Sequence, residues 1–359
     1  MNFFKIGTAF DLNVIDEVER LNEQYFNESL VSEFYGSIAC DSTLAARPAF
    51  RLPDISRQQL EEFVKKSNDI GVSVNYTLNS MLPFGSKMEL VKNKQEIISL
   101  VRYLENIGVK LITVANPILL EIIKEADTKM KIEISTCAHI DTLSQIKFYS
   151  ERYGISKVCG NLLKNRNFNF LKAANQLCEG LGISYELMVN EFCGVGGDNY
   201  ATHCIYRDSC YLCHATNTSY EDMQALNNYP MNICTSSRNK NPANWLKSQF
   251  IRPEDLQTYR LLTGINHFKI TGRTGSTEYQ MKMLEAYMSE HFDGDLLELW
   301  KPLETIQKKN ENENVDYRII DNKKLDGFIN HWVVKGCDCS EEVCGETCNY
   351  CNKFYERFN

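Results

Sequence analysis

The sequence lacks the features of secreted proteins, of membrane-spanning proteins and of proteins that bind the phosphate backbone of nucleic acids. Its first residues, MNFFKIGTAFDL, contain no basic stretch followed by an apolar core and a small-residue cleavage site, so we expect the chain in the reducing cytoplasm. No apolar run approaches the roughly 18 residues that span a bilayer, so we expect no membrane insertion. The formal net charge of −8 argues against a general binder of phosphate backbones, but it leaves room for an RNA substrate in a local basic groove.

The motifs of common hydrolases and nucleotide-binding enzymes are missing as well. Only six histidines are spread along the chain, and neither H-E-x-x-H nor G-x-S-x-G occurs. The turn after the first candidate strand, GTAFDLN, contains no glycine-rich phosphate loop, which disfavours an open doubly wound sheet. A peptidase would therefore have to use chemistry other than that of these motifs.

Cysteine, by contrast, is abundant. The chain has 14 cysteines. Dense thiols serve either disulfides or metals, and a reducing compartment favours metal ligation. Cys137, Cys159 and Cys178 stand in apolar settings and are interpreted as core residues. The others form two groups, Cys193, Cys204, Cys210, Cys213 and Cys234 in the first and Cys337, Cys339, Cys344, Cys348 and Cys351 in the second, apart from Cys40.

Short runs rich in Val, Ile and Tyr alternate with amphipathic helical stretches such as Ser56–Gly71 and Lys94–Gly108. The runs lack strict alternation, which is typical of strands buried on both faces. Eight strands in about 290 residues predict an α/β fold, a (β/α)8 TIM-like barrel. The predicted strands are Phe3–Gly7, Phe34–Ala39, Val72–Leu78, Lys110–Ala115, Lys131–Thr136, Ser156–Gly160, Ile183–Val189 and His267–Gly272.

The rest of the chain is a small appendage. We assign residues 1–290 to the barrel, 291–326 to a polar linker and 327–359 to a cysteine-rich, metal-binding tail. The tail has the spacing C-x-C-x4-C-x3-C-x2-C, which suits either a structural zinc or a second iron–sulfur cluster. A third alternative is that the tail completes a site of the barrel. So short a segment cannot build its own core, so a metal is physically reasonable.

Reacting groups of such barrels lie on the loops after the strands. Candidates there are His139, Glu191 and Arg273, with His203 and Arg252 in the segment between the last two strands. The histidines and Glu191 are candidates for proton transfer, and the arginines for binding a carboxylate. The alternatives are hydrogen-bonded structural roles for the histidines, a solvated or capping role for Glu191 and salt bridges at the barrel rim for the arginines.

Six segments in chain order resemble the collagenase-like peptidase family, peptidase family U32. The pair RPEDL and FKI-x-GR is the most specific part of this resemblance, which spans roughly residues 3–290. The segments are VNYTLN (74–79), GVKLITVANPILL (108–120), EISTCAHI (133–140), YELMVNEFC (185–193), FIRPEDLQTY (250–259) and FKITGRTGSTEY (268–279).

The resemblance implies a 4Fe–4S cluster. Cys193 and Cys234 stand where the family places cluster cysteines, and Cys40 where a related branch has another. Many relatives have a second cysteine where this chain has Gly197, so the remaining ligands would come from Cys204, Cys210 or Cys213.

The better understood members of the family resemble enzymes of oxygen-independent hydroxylation. They act on ubiquinone precursors or on a pyrimidine of RNA. We therefore expect an iron–sulfur enzyme that acts on a small organic or RNA substrate, with an electron donor or partner subunit. The alternatives are a peptidase and a non-catalytic subunit that carries a cluster.

Overall fold

Eight parallel strands close into a barrel in chain order in the computed structural model, which describes residues 1–191, 237–238, 240–272, 275–300, 320–336 and 338–358. β1 pairs with both β2 and β8, so the sheet has no edge. The predicted (β/α)8 barrel is therefore confirmed. The strands β1 to β8 are Asn2–Gly7, Ser29–Gly36, Ser73–Leu78, Leu111–Val114, Lys131–Ile134, Lys157–Cys159, Ser184–Met188 and His267–Ile270.

Helices surround the barrel and cover it with their apolar faces. A capping box formed by Ser56 and Gln59 opens α2, and Gly71, with φ of +77°, follows its end. Among the described residues no helix is long and apolar enough to cross a membrane. The described helices α1 to α12 are Asn13–Gln24, Arg57–Asp69, Lys87–Lys92, Lys94–Asn106, Pro117–Lys124, Leu143–Tyr153, Phe168–Gly180, Ala243–Leu246, Leu256–Thr263, Thr277–Met288, Asn330–Lys335 and Tyr350–Tyr355.

The predicted bounds of the second strand were wrong. That strand was expected at Phe34–Ala39, but β2 runs from Ser29 to Gly36 and Ala39 begins a short 3-10 helix. Its first half, SLVSE, contains three polar residues, of which Glu33 faces the interior of the barrel. Ile38 is apolar but no longer part of the sheet, since its N–H bonds to the Tyr76 hydroxyl.

The described parts of the stretch 291–326 are packed against the fold. Leu296, Leu299 and Trp300 are buried, and so are Ile320 and Leu325. These apolar side chains are part of the hydrophobic core, and the assignment of residues 291–326 to a polar linker stays a prediction. The polar run KKNENENVD lies outside the described residues.

Candidate active site and metal centre

The interior of the barrel is lined by polar and charged side chains. Each strand carries one, and apart from Glu33 and Lys157, which each follow a serine, these residues are flanked by apolar neighbours. Barrels of this fold more often fill their interior with branched apolar residues. The buried interior residues are Lys5, Glu33, Asn75, Thr113, Glu133, Lys157, Glu186 and Lys269.

Two buried lysines connect three buried carboxylates across the barrel. Lys5 forms ion pairs with Glu133 and, at 2.6 Å, with Glu186. Lys157 forms ion pairs with Glu33 and, at 3.6 Å, with Glu186. Buried charges are tolerated where they are paired in this way.

Hydrogen bonds and charge complete this ion-pair network. The Asn75 amide donates to Glu33 at 3.0 Å and to Glu133 at 2.9 Å. Burial alone would raise the pKa of Glu186, but Lys5, Lys157 and Lys269 lower it to about 2. Burial and the charge of Glu186 raise the pKa of Glu133 instead. Glu133 is therefore the carboxylate of the network that most readily holds a proton.

Lys269 is the third interior lysine, and it lies near the carboxyl end of β8. Its Nζ lies 4.2 Å from the centre of the Tyr35 ring, a cation–π contact. Among the described residues no carboxylate lies within 4.0 Å of this nitrogen. The neighbouring Cys159 thiol is buried, which raises its pKa to about 12 although Lys269 opposes the rise. The thiol is therefore protonated at neutral pH.

Glu133, Cys159 and Glu186 bring their oxygen and sulfur atoms within 4.8 Å of one another, as metal ligands would. However, Lys5 contacts both carboxylates. The Lys5 ammonium group already supplies these carboxylates with the positive charge that a metal ion would bring. We therefore interpret these residues as part of the ion-pair network.

The segment that carries the first cysteine group starts and returns at the carboxyl end of the barrel. The Ile251 N–H donates to the Val189 carbonyl at 2.8 Å, which joins the two ends of the segment. Asn190 fixes the position where the chain leaves β7 and enters this segment, because its Oδ1 accepts a hydrogen bond from the Thr271 N–H at 2.6 Å. Cys193, Cys204, Cys210, Cys213 and Cys234 lie outside the described residues, as do His203, Arg273 and Cys337.

Three described candidate residues lie on three separate loops that follow strands. Half-buried His139 follows β5 in a left-handed conformation, with φ of +52°. Half-buried Glu191 follows β7. Exposed Cys40 lies after β2 beside Asp41, with its Sγ 3.8 Å from the carboxylate. All three share the carboxyl end of the barrel, as predicted from their places after strands.

Arg252 is held in a buried salt bridge. Its Nε and Nη2 each donate to Asp255 at 3.0 Å, and its Nη1 donates to the Asn322 carbonyl at 2.8 Å. A further ion pair reaches Asp326 at 3.2 Å. The guanidinium is only 3% exposed. This geometry matches the salt-bridge alternative for Arg252, and its proposed contact with substrate stays a prediction.

Four cysteines of the tail line one small cavity. They are Cys339, Cys344, Cys348 and Cys351, and Trp332 and Arg166 also line it. The Trp332 Nε1–H points to Cys339 Sγ at 3.0 Å. Cys351 Sγ lies 3.6 Å from the Leu246 carbonyl of α8. The tail thiols therefore face the barrel and one another.

The fold and its polar interior define a TIM-barrel protein with a cysteine-rich insertion at the mouth. The chain belongs to peptidase family U32, whose family model matches residues 43–318.

Two relatives carry peptidase names. The chain is 29% identical to the uncharacterized protease MJ1657 of Methanocaldococcus jannaschii over 257 residues, which cover 71% of this chain and 68% of that protein. The solved structure of the U32 peptidase Mk0906 is similar with a TM-score of 0.49 at 14% identity, covering 76% of this chain and 92% of that one. A phosphoribosyl anthranilate isomerase is similar with a TM-score of 0.40 at 6% identity, covering 80% and 100%.

The interior lysines and glutamates were not among the site residues predicted from the sequence. A signal was present, because Lys5, Glu133, Glu186 and Lys269 each stand between apolar residues in a predicted strand. A charge that recurs at the centre of strands buried on both faces indicates an ionic barrel interior.

Proposed function

We propose that this chain is an iron–sulfur redox enzyme that acts at the mouth of the barrel on a small organic or RNA substrate. The reaction would be an oxygen-independent hydroxylation or a related modification, in the cytoplasm, with electrons exchanged with a donor or partner subunit. Family membership and the cysteine pattern support the proposal.

The observation that carries it is the place of the cysteine-rich segment. Its two ends are joined at the mouth by the Ile251–Val189 hydrogen bond. Cys193 comes two residues after Glu191, and Cys234 three residues before Ser237. A 4Fe–4S cluster takes four thiolates, and this segment offers five. When bound, such a cluster supplies one-electron transfer.

The described residues suit an organic substrate that carries a negative charge or a carbonyl group. The Lys269 ammonium can bind such a group because it makes no ion pair among the described residues. The Tyr35 ring fixes the position of that ammonium. The protonated Cys159 thiol beside it can donate a hydrogen bond but is a poor nucleophile.

Peptidase activity is the second candidate, favoured by the names of the family and of its relatives. It requires an activated nucleophile or a metal-bound water. Cys159 does not meet that need, since its thiol keeps its proton. A non-catalytic subunit that carries a cluster is the third candidate.

Anaerobic purification after expression with iron tests the proposal. We expect brown protein with broad absorption near ~400 nm that bleaches in air. Cys193→Ala and Cys234→Ala should each lower iron and sulfide sharply, whereas the control Cys178→Ala, which removes a fully buried thiol of α7, should leave both unchanged. Colourless, iron-free protein that cleaves peptides would contradict the proposal and favour the peptidase. Equal iron in all three variants would refute the ligand assignment.

A further inference from the structure

The tail forms a compact thiol site against the barrel. Cys339, Cys344, Cys348 and Cys351 surround a cavity of about 20 Å³, which is room for roughly one water-sized occupant. Among the described residues, no three of the four sulfur atoms lie within 4.8 Å of one another. Four thiols around one small cavity are the donor set of a thiophilic metal ion.

A buried positive charge faces these thiols. Arg166 lines the cavity and is 3% exposed, and its Nη2 has no hydrogen-bond partner among the described residues. Its guanidinium stacks on Trp332 at 4.2 Å and on Phe328 at 5.1 Å. Burial raises the pKa of the Cys339 thiol, and the charge of Arg166 opposes that rise.

A second buried cation, Lys247, lines the same cavity and is 4% exposed. Four thiolates around a divalent ion carry a net charge of −2. The charges of Arg166 and Lys247 would neutralise it. Among the described residues Arg166 stacks on aromatic rings and its Nη2 has no hydrogen-bond partner, an environment that is costly for a buried cation without an anionic centre nearby.

We propose that Cys339, Cys344, Cys348 and Cys351 bind a single zinc ion, a dianionic tetrathiolate centre neutralised by Arg166 and Lys247. The size of the cavity favours one ion over an eight-atom iron–sulfur cluster. Zn–S bonds of about 2.3 Å place tetrahedral sulfur atoms roughly 3.8 Å apart, so binding would draw the thiols together by at least about 1 Å. This site is separate from the cluster proposed at residues 193–234.

The centre would fasten the tail to the barrel mouth. Asp338, next to the first ligand, accepts hydrogen bonds from Lys164 at 3.1 Å and from Asn167 at 2.7 Å. Both lie in the connection between β6 and α7, as Arg166 does. Cys351 lies against α8 on the return path of the cysteine-rich segment. The metal therefore joins three parts of the chain at the carboxyl end of the barrel.

Elemental analysis of anaerobically purified full-length protein tests the site. We expect one zinc per chain, lost in Cys344→Ala and in Cys351→Ala but kept in the control Cys178→Ala. Iron and sulfide should not change in the tail variants, so failure of this proposal is distinguishable from failure of the proposed cluster. Wild-type protein without zinc, zinc retained by both tail variants, or iron and sulfide lost together with the tail thiols would each overturn it.

The wild-type protein gives a second test that needs no ligand variant. Chelator should remove the zinc and change the fluorescence of Trp332, whose indole N–H points to Cys339. Arg166→Met should weaken zinc binding about 10- to 100-fold, as expected for loss of a supporting group around a metal, whereas Arg166→Lys should recover part of the affinity. Equal zinc affinity of Arg166→Met and wild type would show that the cation does not serve the site.

Discussion

Lys5 places one ammonium group against two carboxylates in the middle of the barrel. An ion pair of this kind is weak support for stability when both partners are present, but losing one partner leaves an uncompensated buried charge. The network therefore constrains substitution more than it stabilises the fold. Its charges balance, since Lys5, Lys157 and Lys269 face Glu33, Glu133 and Glu186.

Lys5→Met should destabilise the protein strongly. We expect a loss of about 3–5 kcal/mol in the free energy of unfolding, because Glu133 and Glu186 keep their burial and lose their closest cation. Lys66→Met is the matched control, since Lys66 pairs with Glu62 on the exposed face of α2 and should change stability by less than about 1 kcal/mol. Urea unfolding of both variants measures this, and equal losses would refute the network as described.

His267, at the start of β8, should make stability depend on pH. Burial, with Lys157 nearby, lowers its pKa to about 4, although Glu186 and Glu33 act in the opposite direction. Between pH 6.5 and 4 the unfolded chain therefore binds a proton that the folded chain does not. The contribution of His267 to stability is present above pH 6.5 and is lost as the pH falls to about 4.

The size of this loss is on the order of 2 kcal/mol, allowing for the partial exposure of the ring. His267→Gln removes the titrating group, so its free energy of unfolding should fall less over this pH range than that of wild type. Unfolding titrations at pH 7, 5.5 and 4 check this. Parallel pH profiles for the two proteins would be incompatible with the lowered pKa.

At the scale of the elements, the sequence allowed the strands to be predicted but not the ion pairs between them. All eight predicted strands form, because short β-branched runs that end at turns are a local signal. The contact of Lys5 with Glu133 joins residues 128 positions apart, and only closure of the barrel sets it. The bounds of β2 were missed because its polar interior residue, Glu33, interrupts the apolar pattern.

The candidate site likewise has features that could be predicted from the sequence and features that could not. That His139, Glu191 and Cys40 lie at the carboxyl end of the barrel could be predicted from their places after strands. The burial of Arg252 could not, because its partners Asn322 and Asp326 come from a stretch predicted as a polar linker. Ile320 and Leu325 of that stretch are buried.

At the scale of the whole molecule, the tail packs closely against the segments that connect the barrel strands. Phe328 stacks on Phe250 with ring centres 6.1 Å apart, and Trp332 packs against Phe328 at 5.0 Å. Arg166 of the barrel is enclosed by these rings. Aromatic packing and the proposed zinc would therefore hold the tail together. The cluster proposed for the barrel segment does not require the tail thiols, because that segment offers enough thiols of its own.

Truncation after Gly327 should separate these contributions. We expect zinc to disappear and the iron of the barrel segment to remain. The melting temperature should fall, because Phe250 and Arg166 lose their packing contacts with the aromatic residues of the tail. The full-length variant Cys344→Ser/Cys351→Ser is the control, since it lacks the zinc ligands but keeps Phe328 and Trp332 and should melt between wild type and the truncated chain. Iron per chain and thermal unfolding are the two measurements. Complete loss of iron from both proteins would instead show that the tail thiols complete the cluster of the barrel.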